Sequence, residues 1–284
     1  MSLYEISVVT ALVGTTVAAI WDLKTTEVPD QIPYAMIAIA LLIFGYQSFI
    51  EWSYKPILNS FIVGLSFSAF GALMYYLGQW GGADSFLLAA VGFLLPTANV
   101  QTIFSFPLTF LFNLFFIGAA YMMIYSIVFS FLNKNIFFQF KRDLKASSKL
   151  ILFGSIGLFI LFFFANYFVG KIFVYSASSS FLIINSILPL ILALGLFLIW
   201  KFARAVEEHG FKKRIPVSKL KVGDMLLKEK KLIGITEQQL KKIKRSGVRY
   251  VSIKEGVRFA PAFVLALAFT LIFGDAILLL FKFI

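Results

Sequence analysis

The chain has no cysteine and a single histidine in 284 residues. The first absence excludes a disulfide framework, a cysteine-ligated zinc or iron–sulfur centre and a thiolate nucleophile. The second leaves no pair of imidazoles to hold a metal. Charge is also scarce, at 14% of residues, so what chemistry the chain carries falls to a few carboxylates and hydroxyls. Apolar surface is what the chain has in quantity. Sixty per cent of its residues are hydrophobic, 35 are Phe, and the mean hydropathy is +0.89. That is more than a water-soluble core of this length can bury, and a bilayer is the solvent that fits it. The net charge of +12 reads as membrane topology and not as a nucleic-acid footprint, because most of it sits in two segments that flank apolar runs.

A spanning helix needs roughly 20 apolar residues at about 1.5 Å each. The uncharged intervals 6–21, 31–50 and 56–83 each fit one span. The 49 uncharged residues between Asp84 and Lys134 fit two, joined by a turn between Pro96 and Pro107. Runs at 150–170 and 172–200 follow, and a last one opens at Pro261 and ends near Phe283, interrupted by Asp275 and Lys282. The count is eight, or seven if 85–96 is re-entrant or half buried. With the N-terminus outside, 23 of the 26 Lys and Arg fall inside, and Lys55, Lys171 and Lys282 fall outside. This bias sets the orientation. The first run lacks a basic leader region and a small-residue cleavage site, and reads as a retained span.

The polar stretch 204–258 has its own organisation. Alternation over Ile215–Leu220 and Asp224–Lys228 predicts short strands, and Val248–Ile253 a third. Thr236-Glu237-Gln238-Gln239 is a capping box opening a helix that Gly247 ends. The expected fold is an all-α polytopic membrane protein of six to eight transmembrane helices with a small cytoplasmic α+β domain. Its expected parts are a helical membrane domain over 1–203, the basic α+β unit over 204–258, and a final transmembrane helix over 259–284.

Carboxylates at the edge of hydrocarbon are costly and by default suggest function. Asp22 ends the first span in Trp21-Asp22-Leu23-Lys24, and Asp84 follows Gly81-Gly82-Ala83. Threading puts both at inside ends of spans, where their carboxyls meet if those spans pack together. Two acids in reach of one another share a proton, so one acts as base and the other as acid, the requirement for splitting a peptide with water and no metal. Glycines before Asp84 would let a peptide backbone approach closely. Plainer roles stand beside this one. Asp84 is a good helix N-cap, and Asp22 with Lys24 would make a weak surface pair. Asp275 is expected near the outer half of the last span, bonded to Asn166, Asn185 or a carbonyl, or serving as a relay. His209 is expected to be solvated. The basic run Lys241–Arg245 is a solvated helix face or a contact with anionic lipid.

These residues resemble a known family. Asp22-Leu23-Lys24 with Val28-Pro29, then Gly81-Gly82-Ala83-Asp84, is similar to the GxGD-type aspartic membrane peptidases (the type IV prepilin peptidase family) that process type IV prepilins and archaeal preflagellins. The C-terminal part resembles archaeal members: Ile233-Gly234-Ile235-Thr236 with Leu240, then Gly247-Val248, Ile253-Lys254-Glu255-Gly256-Val257, Phe259-Ala260-Pro261-Ala262-Phe263, and Phe273-Gly274-Asp275. Ala83 stands where the second glycine of GxGD is expected, which narrows the approach to Asp84. The resemblance implies an endopeptidase that cuts a short basic leader from a pilin-like or archaellin precursor at the cytoplasmic face, with Asp22 and Asp84 as the catalytic pair. Lys24, Gly81, Gly82 and Ala83 would support it. No cofactor and no metal are implied, and the lack of cysteine predicts cleavage without methylation. The expected partners are the precursor and membrane lipid, with no nucleic acid. A basic leader must still approach a basic face, for which Glu27 and Asp30 offer a local acidic patch.

Two other classes compete. A proton- or ion-coupled transporter would use Asp22, Asp84 and Asp275 as relay groups. A scaffold would bind lipid or partners through its basic domain and would not need Asp84.

Overall fold

The computed structural model describes residues 2–98, 100, 102–173, 179–227, 234–254 and 256–276. The expected strand end at Lys228, the positions of Ile233 and Glu255, and the end of the last apolar run with Lys282 lie outside the described residues. Ten α-helices and three strands are described. Six helices are long and apolar enough to cross a membrane: α1 (Leu3–Thr25), α2 (Gln31–Ile50), α3 (Lys55–Tyr76), α5 (Phe106–Leu132), α7 (Ser148–Phe173) and α8 (Ser179–Val206). The protein is a polytopic helical membrane protein with a small α+β portion.

Two expected spans take a different form. The run after Asp84 becomes α4 (Gly82–Leu94), 13 residues long, about 20 Å and too short to cross. Every residue from Leu87 to Leu94 is buried, the mark of a helix apolar on all sides and enclosed by others. It packs against α1, α2 and α3. Ser60 donates to the Phe93 carbonyl at 2.7 Å, and Ser85 to that of Gly71 at 2.8 Å. The last run forms α10 (Ala260–Phe273), which stops at Gly274 with φ 72°, a backbone state open mainly to glycine.

That break corrects the expectation for Asp275. It is 5% exposed and accepts hydrogen bonds from the Ile103 N–H at 2.6 Å and the Thr109 hydroxyl at 2.8 Å. Asn113 secures the same turn: its side-chain amide donates to Thr270 and to the Gly274 carbonyl and accepts from Ala276 N–H. Asn166 instead donates to Ser186 at 3.2 Å, and Asn185 to the Phe181 carbonyl.

The chain divides into two compact units, Met1–Tyr125 with Arg214–Ile284, and Ser126–Lys213. The first holds α1–α4, the first part of α5, α10 and the α+β portion. The latter comprises β1 (Lys212–Pro216), β2 (Met225–Leu226), α9 (Glu237–Arg245) and β3 (Tyr250–Lys254), in sheet order β1-β3-β2. Strands β2 and β3 are antiparallel, Met225 opposite Lys254. Thr236 caps α9 with Gln239 in return, as its sequence predicts. The core here is thin, Leu220, Ile235 and Ile253 with a few partly buried neighbours.

The second unit contains the end of α5, α6 (Lys134–Ala146), α7, α8 and a π-helical turn at Glu207–Phe211 that carries His209. Helix α7 packs on α8, and α6 on α8 and the turn.

Candidate active site

Asp22 sits one turn before the end of α1. The helix closes through the Thr26 N–H, which donates to the Asp22 carbonyl at 2.8 Å from a left-handed φ of 64°. The chain then turns through buried Val28 and Pro29 into α2. The Asp22 side chain is 4% exposed, and its Oδ2 accepts the backbone N–H of Ala260 at 2.9 Å. Ala260 opens α10, where backbone N–H groups lack partners within the helix and carry its positive dipole end. The carboxylate of α1 therefore caps α10.

Arg258 lies close enough to Asp22 to act on it electrostatically. Two tyrosines of α5 fix it: the Tyr121 hydroxyl donates to the Arg258 carbonyl at 2.9 Å, and Arg258 Nη1 donates to the Tyr125 hydroxyl at 3.1 Å. Arg258 Nε is buried without a hydrogen-bond partner among the described residues.

Asp84 stands in the first turn of α4, where Gly81 is the N-cap. The alternative of Asp84 as N-cap is thus not met; its Oδ2 reaches back to accept the Gly81 N–H at 3.1 Å. A Cβ on Gly81 would stand only 3.1 Å from that oxygen, whereas one on Gly82 would make an ordinary 3.7 Å contact with the Tyr75 ring. The need for glycine is therefore at position 81, where it lets the carboxylate fold onto the backbone. Ala83 packs against the core with its methyl. Trp80 anchors the loop, its ring 5.8–6.1 Å from those of Phe70, Phe115, Phe259 and Phe263.

Asp22 and Asp84 meet at one cavity of about 650 Å³, and the Asp22 carboxylate is near enough to Asp84 to act on it directly. The Gly78–Asp84 and Thr26–Asp30 segments form part of the wall, and Met122, Gly223, Met225, Lys254, Gly256, Val257 and Phe259 add to it. The α+β portion is thus part of the cavity. Among the described residues its acidic lining is Asp22, Glu27, Asp30 and Asp84, against one cation, Lys254.

Of the residues singled out by sequence, Gly81, Gly82 and Ala83 line this cavity with the two acids. Lys24 does not: it is exposed while Asp22 is buried, since residues two apart on a helix point to different sides. Asp275 is engaged with Ile103 and Thr109 and is absent from the lining. The sequence reading missed Arg258, Tyr121 and Tyr125. Its one available signal was an arginine two residues before a helix that opens Ala260-Pro261. Among the described residues no group of three or more His, Cys, Asp or Glu is placed to hold a metal ion.

A polytopic helical membrane protein with two converging aspartates is the class that the fold and cavity define. Residues 9–127, which include both acids, match the type IV leader peptidase family. The chain is 32% identical over 114 residues to a preflagellin peptidase of Methanococcus voltae, covering 36% of this chain and 48% of that one. To a preflagellin peptidase of Methanocaldococcus jannaschii it is 34% identical over 96 residues, 34% of this chain and 40% of the other. The matched part therefore spans less than half the length of either relative.

Proposed function

We propose that the protein is a membrane aspartic endopeptidase that removes the short basic leader from pilin-like or archaellin precursors at the cytoplasmic membrane face. The observation that carries this reading is the convergence of Asp22 and Asp84, from two different helices, on one cavity. In the proposed reaction a water between the two carboxylates attacks the scissile carbonyl. One carboxylate takes the water's proton and the other protonates the carbonyl oxygen; a proton then passes to the leaving amine. The Gly81 loop offers a narrow backbone wall against which an extended peptide can lie.

The acidic lining supports a cationic substrate, since a cleft of one sign concentrates ligands of the other. Glu27 and Asp30 at the cavity support the approach of a basic leader to a chain of net charge +12. The cytoplasmic assignment rests on the distribution of Lys and Arg about the spans. Transport through an aspartate relay gains no support from the geometry, because Asp275 makes two hydrogen bonds that account for it structurally.

The test is cleavage of an archaellin-like and a pilin-like precursor by the purified chain in lipid, with mass analysis of the products. The proposal expects one cut before the precursor's hydrophobic helix and a mature N-terminus of unmodified mass. No cut of either precursor, by protein shown to be folded, would overturn it.

A further inference from the structure

Helix α6 (Lys134–Ala146) has no part in the cavity, and its two sides differ sharply. One side packs inward: Ile136 is fully buried against the turn at Gly210, and the Phe140 ring meets that of Phe202 at 5.4 Å. The helix's one acid, Asp143, is on this side and acts electrostatically on Arg204. The other side exposes Lys134, Lys141, Arg142 and Lys145 together with Phe137 and Phe138, which are 55% and 63% exposed. No acidic residue is exposed on it.

Chain connectivity fixes where this face lies. Only Asn133 separates α6 from α5, and only Ser147 separates it from α7, and both neighbours are apolar enough to span a bilayer. A 13-residue helix tied within one residue of a span at each end cannot leave the membrane surface. Basic side chains interleaved with aromatic ones suit the headgroup boundary, where the rings enter the acyl region and the charges meet phosphates. An acidic protein or nucleic acid would match the charges and leave both phenylalanines in water.

We propose that the exposed face of α6 is a binding surface for anionic phospholipid headgroups, lying in the plane of the membrane with Phe137 and Phe138 below the phosphates. The surface lies outside the matched segment 9–127 and does not depend on the peptidase reading.

Two measurements on the full chain test it. Lipid retained by the purified protein is measured by native mass spectrometry against phosphatidylglycerol and phosphatidylcholine, for the unaltered chain and for the combined Lys141→Gln, Arg142→Gln, Lys145→Gln variant. Attraction of about fivefold per basic residue predicts a loss of phosphatidylglycerol preference of at least tenfold. Because the chain has no cysteine, Phe138→Cys gives a unique spin-label site in nanodiscs. The label should be open to oxygen and shielded from a water-soluble nickel chelate. An unchanged lipid preference in the triple variant, or a label as open to nickel as one in water, would overturn the proposal and point to an aqueous partner instead.

Discussion

Asp22 accepts the backbone N–H of Ala260 across 238 positions of sequence, so the carboxylate of α1 is held by the start of α10. Orientation of one member of the proposed pair is thereby in the hands of residues 258–260, outside the segment 9–127 that matches the leader peptidase family.

Arg258 should act as a positioning residue for Asp22. Its charge acts on Asp22 electrostatically, so Arg258→Met should lower kcat about tenfold, on the order of 1.4 kcal/mol, with KM nearly unchanged. Arg258→Lys, which keeps the charge, should restore part of it. An equal loss in both variants together with a lower melting temperature would mark the residue as merely structural.

The glycine loop makes a sharper distinction. Gly81→Ala sets a methyl 3.1 Å from Asp84 Oδ2, while the same change at Gly82 meets only the Tyr75 ring at 3.7 Å. Cleavage rates should fall more than about tenfold for the first and stay within about twofold for the second. Equal effects would contradict the geometry.

Glu27 and Asp30 line the cavity without belonging to the proposed pair. Glu27→Gln with Asp30→Asn should raise KM for a leader rich in Lys or Arg by about three- to tenfold, screened progressively by salt. A precursor whose leader charges are neutralised should lose this difference. A change confined to kcat would refute the role.

Asp275→Asn should leave the cleavage rate of folded protein intact and lower its stability. The substitution keeps one carbonyl oxygen but weakens the bonds from Ile103 and Thr109, costing about 1–3 kcal/mol. Thermal unfolding and cleavage, measured on the same sample, separate the two effects. Loss of cleavage at unchanged stability would revive a relay role.

Much of this architecture was readable from sequence because it rests on local pattern. Apolar intervals of span length, the Thr236 capping box and the alternation in Val248–Ile253 each dictate one element without reference to the rest. The α4 segment stayed open between a span and a re-entrant or half-buried piece because an apolar run reads alike whether lipid or protein surrounds it; packing against α1, α2 and α3 decides for the second. The two aspartates were visible as isolated charges in apolar context. Arg258 and its tyrosines were not, since their roles depend on contacts with partners more than 130 positions away, and the arginine's place two residues before a helix start was the one local sign of them.

The central claim is that Asp22 and Asp84 work as one unit on one water. Single-turnover cleavage of a precursor by Asp22→Asn, Asp84→Asn and the double variant, each shown to be folded, tests it directly. Residues acting as a unit are non-additive, so each single change should reduce the rate at least about a thousandfold and the double change should add little. Processing at a near-normal rate by either single variant, or losses that multiply in the double, would contradict the account.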